Sequence, residues 1–173
     1  MNPHTIRRLD SWLGKPICFA LTALRRLGVV IPRRPESAAP IRRILLIKMI
    51  EQGATVLAYR AITRAVELVG RENVYFWTFD ENRFILDLLH LIPPQNVLSV
   101  RARRPLVLIW DLLRTTLAAR KLEIDASVDM EFFSRASAIL GFLSGARRRA
   151  GLHRFTSEGP YRGNLMTHRV QYN

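Results

Sequence analysis

The stretch Ile124-Asp-Ala-Ser-Val-Asp129-Met-Glu131-Phe-Phe-Ser134-Arg135, continued by Ala-Ser-Ala-Ile-Leu-Gly-Phe-Leu-Ser-Gly145 and then Ala-Arg147-Arg148-Arg149-Ala-Gly151-Leu-His153-Arg154, reads as strand, acidic turn, helix, glycine stop, strand. Glu123–Met130 has the length of a buried strand, Phe132–Leu143 repeats its apolar residues at helical spacing, and Arg148–Leu152 returns to a strand.

The same alternation extends upstream. Ile44–Met49 is a continuous apolar run, as expected of a strand covered on both faces. Ala54–Val69 places Val56, Leu57, Ala61, Ile62, Ala65 and Val69 at helix spacing, and Gly70 is a plausible stop. Asn73–Phe79 is rich in aromatic and β-branched residues and predicts a strand. Glu81–Leu91 predicts a helix ended by Pro93-Pro94, Asn96–Val100 a strand, and Pro105–Ala119 a helix with proline in its first turn. Strands alternating with helices imply an α/β domain with a mostly parallel sheet and helices on both faces. No internal repeat and no low-complexity tract interrupts the pattern.

The 173 residues are 49% hydrophobic, enough for one domain with a true core. Cys18 is the single cysteine, so no internal disulfide forms, and a reducing compartment fits. His4, His90, His153 and His168 are scattered without zinc-ligand spacing, and no carboxylate cluster resembles a metal cage. The net charge of +13 is concentrated at the two ends: residues 1–43 carry +7, residues 44–146 carry +1 and residues 147–173 carry +5. Such ends suit nucleic acid, anionic lipid or a phosphorylated substrate, and equally a solvated surface. Few aromatics interleave with the basic residues and no recognised motif is present, which argues against nucleic acid. No stretch reaches the roughly 18 apolar residues of a spanning helix. The apolar run Ile17–Leu24 is followed by Arg25-Arg26 rather than a cleavage site, against a signal peptide.

Three regions follow. Residues 1–31 are basic and amphipathic: Ile6, Leu9, Leu13, Ile17, Ala20, Leu24 and Leu27 share one face, with Arg7, Arg8, Lys15, Arg25 and Arg26 on the other. These basic residues, with Trp12, are the candidate contacts of an anionic membrane surface. Gly14 and Pro16 are expected to break or kink the helix, and a pair of short helices packed on the domain is the alternative. Residues 32–40 hold three prolines and read as a linker. Residues 41–173 form the α/β domain.

Ligands of open parallel sheets bind at the carboxyl ends of the strands. The first place to look is Lys48-Met-Ile-Glu51-Gln52-Gly53-Ala54-Thr55, where Gly53 either lets backbone N–H groups approach an anion or simply makes a tight turn. A dinucleotide G-x-G-x-x-G fingerprint is absent. The second is Asp129-Met-Glu131-Phe-Phe-Ser134-Arg135. Its two carboxylates point the same way if the strand runs through both, and either bind sugar hydroxyls or act as a base. Helix capping with a salt bridge to Arg135 is the structural alternative. The third is His153-Arg154…Glu158…Tyr161-Arg162, which reads as substrate contacts or as a solvated loop.

Taken together, Arg43-Ile-Leu-Leu-Ile-Lys48, Gly53, the run Ile124–Glu131 leading into Phe132–Leu143, Ser144-Gly145-Ala-Arg147 and Arg149-Ala-Gly151 resemble the first half of the lipopolysaccharide heptosyltransferase family, glycosyltransferase family 9. The likeness spans about residues 40–173. It implies a Rossmann-like sheet forming one half of a two-domain GT-B architecture, with the acceptor and the base on this half. The donor, a nucleotide-sugar, is then held by a C-terminal domain that these residues do not supply, so the chain is expected to be a fragment or truncated form that is inactive alone. The family's base is an Asp after the turn glycine; here Ala54 follows Gly53, and Glu51 is the nearest acid. By resemblance, Glu51 is the catalytic candidate, and Gln52, Gly53, Thr55, Asp129, Glu131, Arg135, His153 and Arg154 are the substrate-binding candidates. The implied reaction transfers a sugar such as heptose to a lipid-linked or envelope glycan acceptor at the inner face of the cytoplasmic membrane, with no metal or cofactor. A degenerate, non-catalytic domain that binds membrane, glycan or a partner protein is the second reading.

Overall fold

The computed structural model describes residues 3–28, 40–132, 134–153 and 161–171, with side chains from residue 10 onward. The elements follow in the order α1 (Pro3–Arg26), β1 (Ile44–Ile47), α2 (Gln52–Leu57), α3 (Tyr59–Val69), β2 (Val74–Phe79), α4 (Asp80–Leu89), β3 (Val97–Val100), α5 (Pro105–Lys121), β4 (Ala126–Asp129), α6 (Arg135–Leu143), β5 (Arg148–His153) and β6 (His168–Gln171). The six strands form one sheet in the order β3-β2-β1-β4-β5-β6. Every pairing is parallel. This is a Rossmann-like α/β fold, and the direction of strand succession reverses between β1 and β4. Ile44 pairs with both Val74 and Ala126, and Ile47 with both Trp77 and Asp129, so the three central strands are level.

Strand alternation sorts the core into two layers. Leu45, Ile47 and Met49 face one side, where they pack with Trp77, Val100, Ala119 and Leu140 under α5 and α6. Ile44 and Leu46 face the other, against Ile62, Ala65, Phe76 and Leu86 under α3 and α4. Side chains such as Leu45, Ile47 and Phe76 are fully enclosed, each contributing about 1.5–3 kcal/mol of burial. A third cluster joins Cys18 of α1 to Ala138 and Phe142 of α6 and to Leu165 and Met166.

The expected elements are present, with three differences. The helix expected over Ala54–Val69 begins at Gln52 and bends at Ala58, yet Ala58 N still donates to Ala54 O and Ile62 N to Ala58 O, so its bonding is continuous. Strand β6 was not legible in the sequence because all four of its residues are exposed and it lacks an apolar run. The largest difference is α1, one helix through Gly14 and Pro16 where a break was expected. Gly14 serves packing here: a Cβ on it would stand 2.7 Å from Arg135 Cβ, so only glycine lets α1 lie this close to α6. Residues 32–39 of the expected linker lie outside the described residues. Among the described residues no helix is long and apolar enough to cross a membrane.

Candidate functional site

The reversal between β1 and β4 places two of the sequence-derived loci side by side at the carboxyl edge of the sheet, where doubly wound folds hold their ligands. The acidic turn after β4 and the turn after β1 meet through one carboxylate. Glu131 accepts from Met49 N at 2.6 Å and Ile50 N at 2.9 Å, and from Lys48 Nζ at 3.3 Å. Three donors, two of them backbone, fix this carboxylate as a clasp that shapes the β1 turn.

Asp129 points elsewhere. Strand β4 ends at this residue, so the chain turns before Glu131 and the two carboxylates diverge, contrary to the same-side expectation. Asp129 accepts from Glu131 N at 3.0 Å, Ser137 Oγ at 2.9 Å and Arg162 Nη2. Its surroundings are so enclosed that burial raises its pKa against the opposing pull of Arg162. Arg162 also donates to Leu152 O at 2.6 Å, tying the C-terminal loop to β5.

Arg135 is not the partner of either carboxylate. It is buried and donates to Asp10 at 3.3 Å and to Tyr161 O at 2.9 Å. Asp10 in turn accepts from Ala136 N at 2.7 Å, the first turn of α6, where an acid complements the helix dipole. The cap of α6 is Ser134, whose Oγ accepts from Ser137 N at 3.3 Å. The expected capping by Asp129 or Glu131 and the expected bridge to Arg135 are therefore replaced by Ser134 and Asp10.

The turn after β1 is the accessible part. Glu51 has a side chain 64% exposed, with Lys48 Nζ 3.5 Å from its carboxylate. Its backbone sits at φ 73°, ψ 94°, a sparsely populated conformation for a residue with a Cβ. Gly53 does not make the turn, as the tight-turn reading required: it lies inside α2 at negative φ, with nothing within 4 Å of where a Cβ would be. Gln52 Nε2 donates to Glu81 O at 2.9 Å, linking this turn to the start of α4. Thr55 is fully buried and donates to Glu51 O at 3.3 Å, so it supports the turn and is withdrawn from any ligand. His153 ends β5 and is half-buried. Arg154 and Glu158 lie outside the described residues.

Of the sequence-derived set, the structure brings Glu51, Gln52 and Gly53 to one exposed turn and turns Thr55, Asp129, Glu131 and Arg135 inward. Residues that sequence reasoning missed join them. Lys48 is buried but reaches both Glu51 and Glu131. Asp80 and Glu81 begin α4 at the end of β2 and are exposed, and acids directly after a strand run are a signal that could have found them. Asn82 is buried and donates to Met49 O, buttressing the same turn. Among the described residues, no group of acids, histidines and cysteine is placed to hold a metal ion. A cleft of about 860 Å³ opens at the opposite, amino-terminal edge of the sheet, beside Arg42, Arg43, Arg120 and Arg147. Asp125 closes its floor by accepting from Arg42 N at 2.9 Å and Arg43 N at 3.1 Å. That edge is the wrong one for ligands of this sheet type.

The basic residues expected to touch membrane divide. Trp12, Lys15 and Arg26 of α1 are exposed, while Arg25 is half-buried and donates to Asn164 O. The side chains of Arg7 and Arg8 lie outside the described set. Comparison of the chain with protein-family models, with curated proteins and with solved structures finds no match.

Proposed function

We propose that the chain is the acceptor-side Rossmann-like unit of an inverting sugar transferase similar to the lipopolysaccharide heptosyltransferases, with Glu51 as the base. The observation that carries this reading is the state of Glu51: an exposed carboxylate on a conformationally unusual turn, at the carboxyl end of the central strand, 3.5 Å from a buried ammonium. Glu51 takes the proton of the acceptor hydroxyl as its oxygen attacks the anomeric carbon. The anomeric C–O bond to the donor phosphate breaks, and the nucleoside diphosphate leaves with the bonding pair. Gln52, Asp80 and Glu81 offer hydrogen bonds to acceptor hydroxyls. The nucleotide-sugar donor comes from a second α/β unit, as the resemblance implies, and the acceptor is lipid-linked or part of an envelope glycan. The exposed Trp12, Lys15 and Arg26 of α1 favour a membrane-borne acceptor at the inner face of the cytoplasmic membrane.

The test is a titration of the labelled chain with deacylated lipopolysaccharide core, read by amide shifts. Movement of Glu51, Gln52, Gly53 and Asp80 is expected; shifts confined to the opposite edge of the sheet would sink the reading. With donor and donor-binding unit added, Glu51→Gln is expected to lose on the order of 10²–10⁴ in rate. A second reading, a non-catalytic domain, is favoured by the internal use of Asp129, Glu131 and Arg135 and by Ala54 in place of the family's acid. Absence of transfer by the parent chain with donor and donor-binding unit present selects it, whereas an unchanged rate in Glu51→Gln moves the base to another residue.

The α1 contact is tested by point variants. Deleting α1 would uncover Arg135 and the cluster around Cys18 and Phe142, so a truncated chain reports on folding instead of lipid.

A further inference from the structure

Helix α5 is inside out. Its sheet-facing side carries Asp111, Thr115 and Ala119, all buried, with Leu108 and Leu112 beside them. Its other side carries Leu106, Ile109, Trp110, Leu113 and Leu117, all exposed, with Leu106 at 81% and Trp110 at 65%. At about 100° per residue these five fall within an arc of roughly 100°, a continuous apolar stripe along the outside of the helix. The buried polar groups are satisfied without it: Arg101 donates to Asp111 at 2.8 Å and 2.9 Å, and Thr115 Oγ1 donates to Asp111 O at 2.7 Å.

The charges around the stripe say what covers it. Residues 101–121 hold six Lys and Arg and one acid, Asp111, and that acid is buried. Arg103 and Arg104 stand before the helix, and Arg120 and Lys121 close its last turn; these four make no ion pair among the described residues. Arg114 lies on the flank of the stripe, exposed. An apolar face with a tryptophan and a basic exposed rim, in which Glu123 beyond the last turn is the one exposed acid and lies 3.8 Å from Arg43, matches anionic lipid: acyl chains for the stripe, headgroups for the rim. A second copy does not match, since a symmetric contact through this face would set basic rim against basic rim. Helix α1 repeats the arrangement. It packs on α6 through Gly14 and Cys18, meets Gly163 and Asn164 through Thr22, and leaves Trp12, Leu13, Phe19 and Leu27 outward, Trp12 at 84%.

We propose that the outer face of α5 is a membrane-docking surface that enters the interfacial region of an anionic bilayer, with Trp110 and Leu113 as its apolar anchors. This goes beyond the sugar-transfer reading and stands or falls without it, because the test involves no sugar.

The experiment is sedimentation of the full chain with phosphatidylcholine vesicles, with and without phosphatidylglycerol. Binding is expected with phosphatidylglycerol only. The double variant Trp110→Ser, Leu113→Ser is expected to bind about tenfold less, as loss of two partly inserted side chains requires. Its thermal midpoint should not fall, since both side chains are exposed. In Trp12→Phe, Trp110 is the only exposed tryptophan, Trp77 being fully buried, so a blue shift and quenching by brominated lipid report insertion of α5 directly. Parent-like binding by the double variant, absence of quenching, or a dimer that the double variant dissolves would each overturn the proposal.

Discussion

Glu131 and Glu51 both reach Lys48, from opposite sides of the boundary between β1 and β4, and they are held in opposite ways. Glu131 is buried, with a side chain 9% exposed, and its acceptor capacity is taken by two backbone N–H groups and the ammonium. Glu51 has one ionic neighbour, no side-chain cap bond and a strained backbone. Residue type and distance from the sheet are nearly the same, so the difference lies in what each turn demands. The β4 turn supplies the acceptor that holds the β1 turn in place, and the carboxylate of the β1 turn stays exposed.

The largest effect expected from breaking this contrast is on the buried side. Arg162→Met leaves Asp129 enclosed without its cation and should cost about 3–5 kcal/mol, read as a lower urea midpoint. Combining it with Asp129→Asn should recover most of that loss; a double variant no better than the single would mean that Arg162 acts through Leu152 O alone. Glu131→Gln keeps the shape but replaces a charged acceptor by an amide facing the same N–H groups. A loss of about 1–3 kcal/mol is expected, with amide shifts at Met49 and Ile50. On the exposed side the sign should reverse. Glu51→Gly relieves the positive φ and should raise stability by about 1 kcal/mol; a destabilised Glu51→Gly would show that the ion pair with Lys48, not the turn, dominates there.

The smallest effect sharpens the contrast through pH. Asp111 is also enclosed, but its hydrogen bond from Arg101 lowers its pKa from 3.8 to about 2. A carboxyl held below its unfolded value stabilises the fold above that value and loses the contribution as pH falls through the folded one. Thermal midpoints should therefore decline between pH of about 4 and about 2, and Asp111→Asn should flatten that limb. Asp129 works in the opposite direction: burial raises it, so its contribution shrinks as pH rises through its window.

Much of the architecture was readable without coordinates. Five of the six strands lie where the alternation of strand-like and helix-like segments puts them, and Gly70 and Pro105 stand at the helix ends they marked. The sixth, β6, has no such run because an edge strand exposed along its length needs none. Gly14 and Pro16 misled for a related reason: local propensity counts the cost of each residue within the helix, whereas the gain from packing Gly14 over Arg135 arises only when α6 is present. The candidate loci were legible as strand ends, but the internal partners that distinguish them were not: Arg162 for Asp129 and Asp10 for Arg135 are more than thirty and more than a hundred residues away in the chain.

What the sequence alone determined is the alternation of strands and helices, and with it a parallel sheet. Periodicity is local, and each element reports it within its own length. Which acid is free, and which apolar face lies outward, was decided by tertiary structure. A carboxylate's role depends on the donors that surround it after folding, and α5 carries leucines on its inner and outer sides alike, so only its docking on the sheet shows which side is core and which faces out.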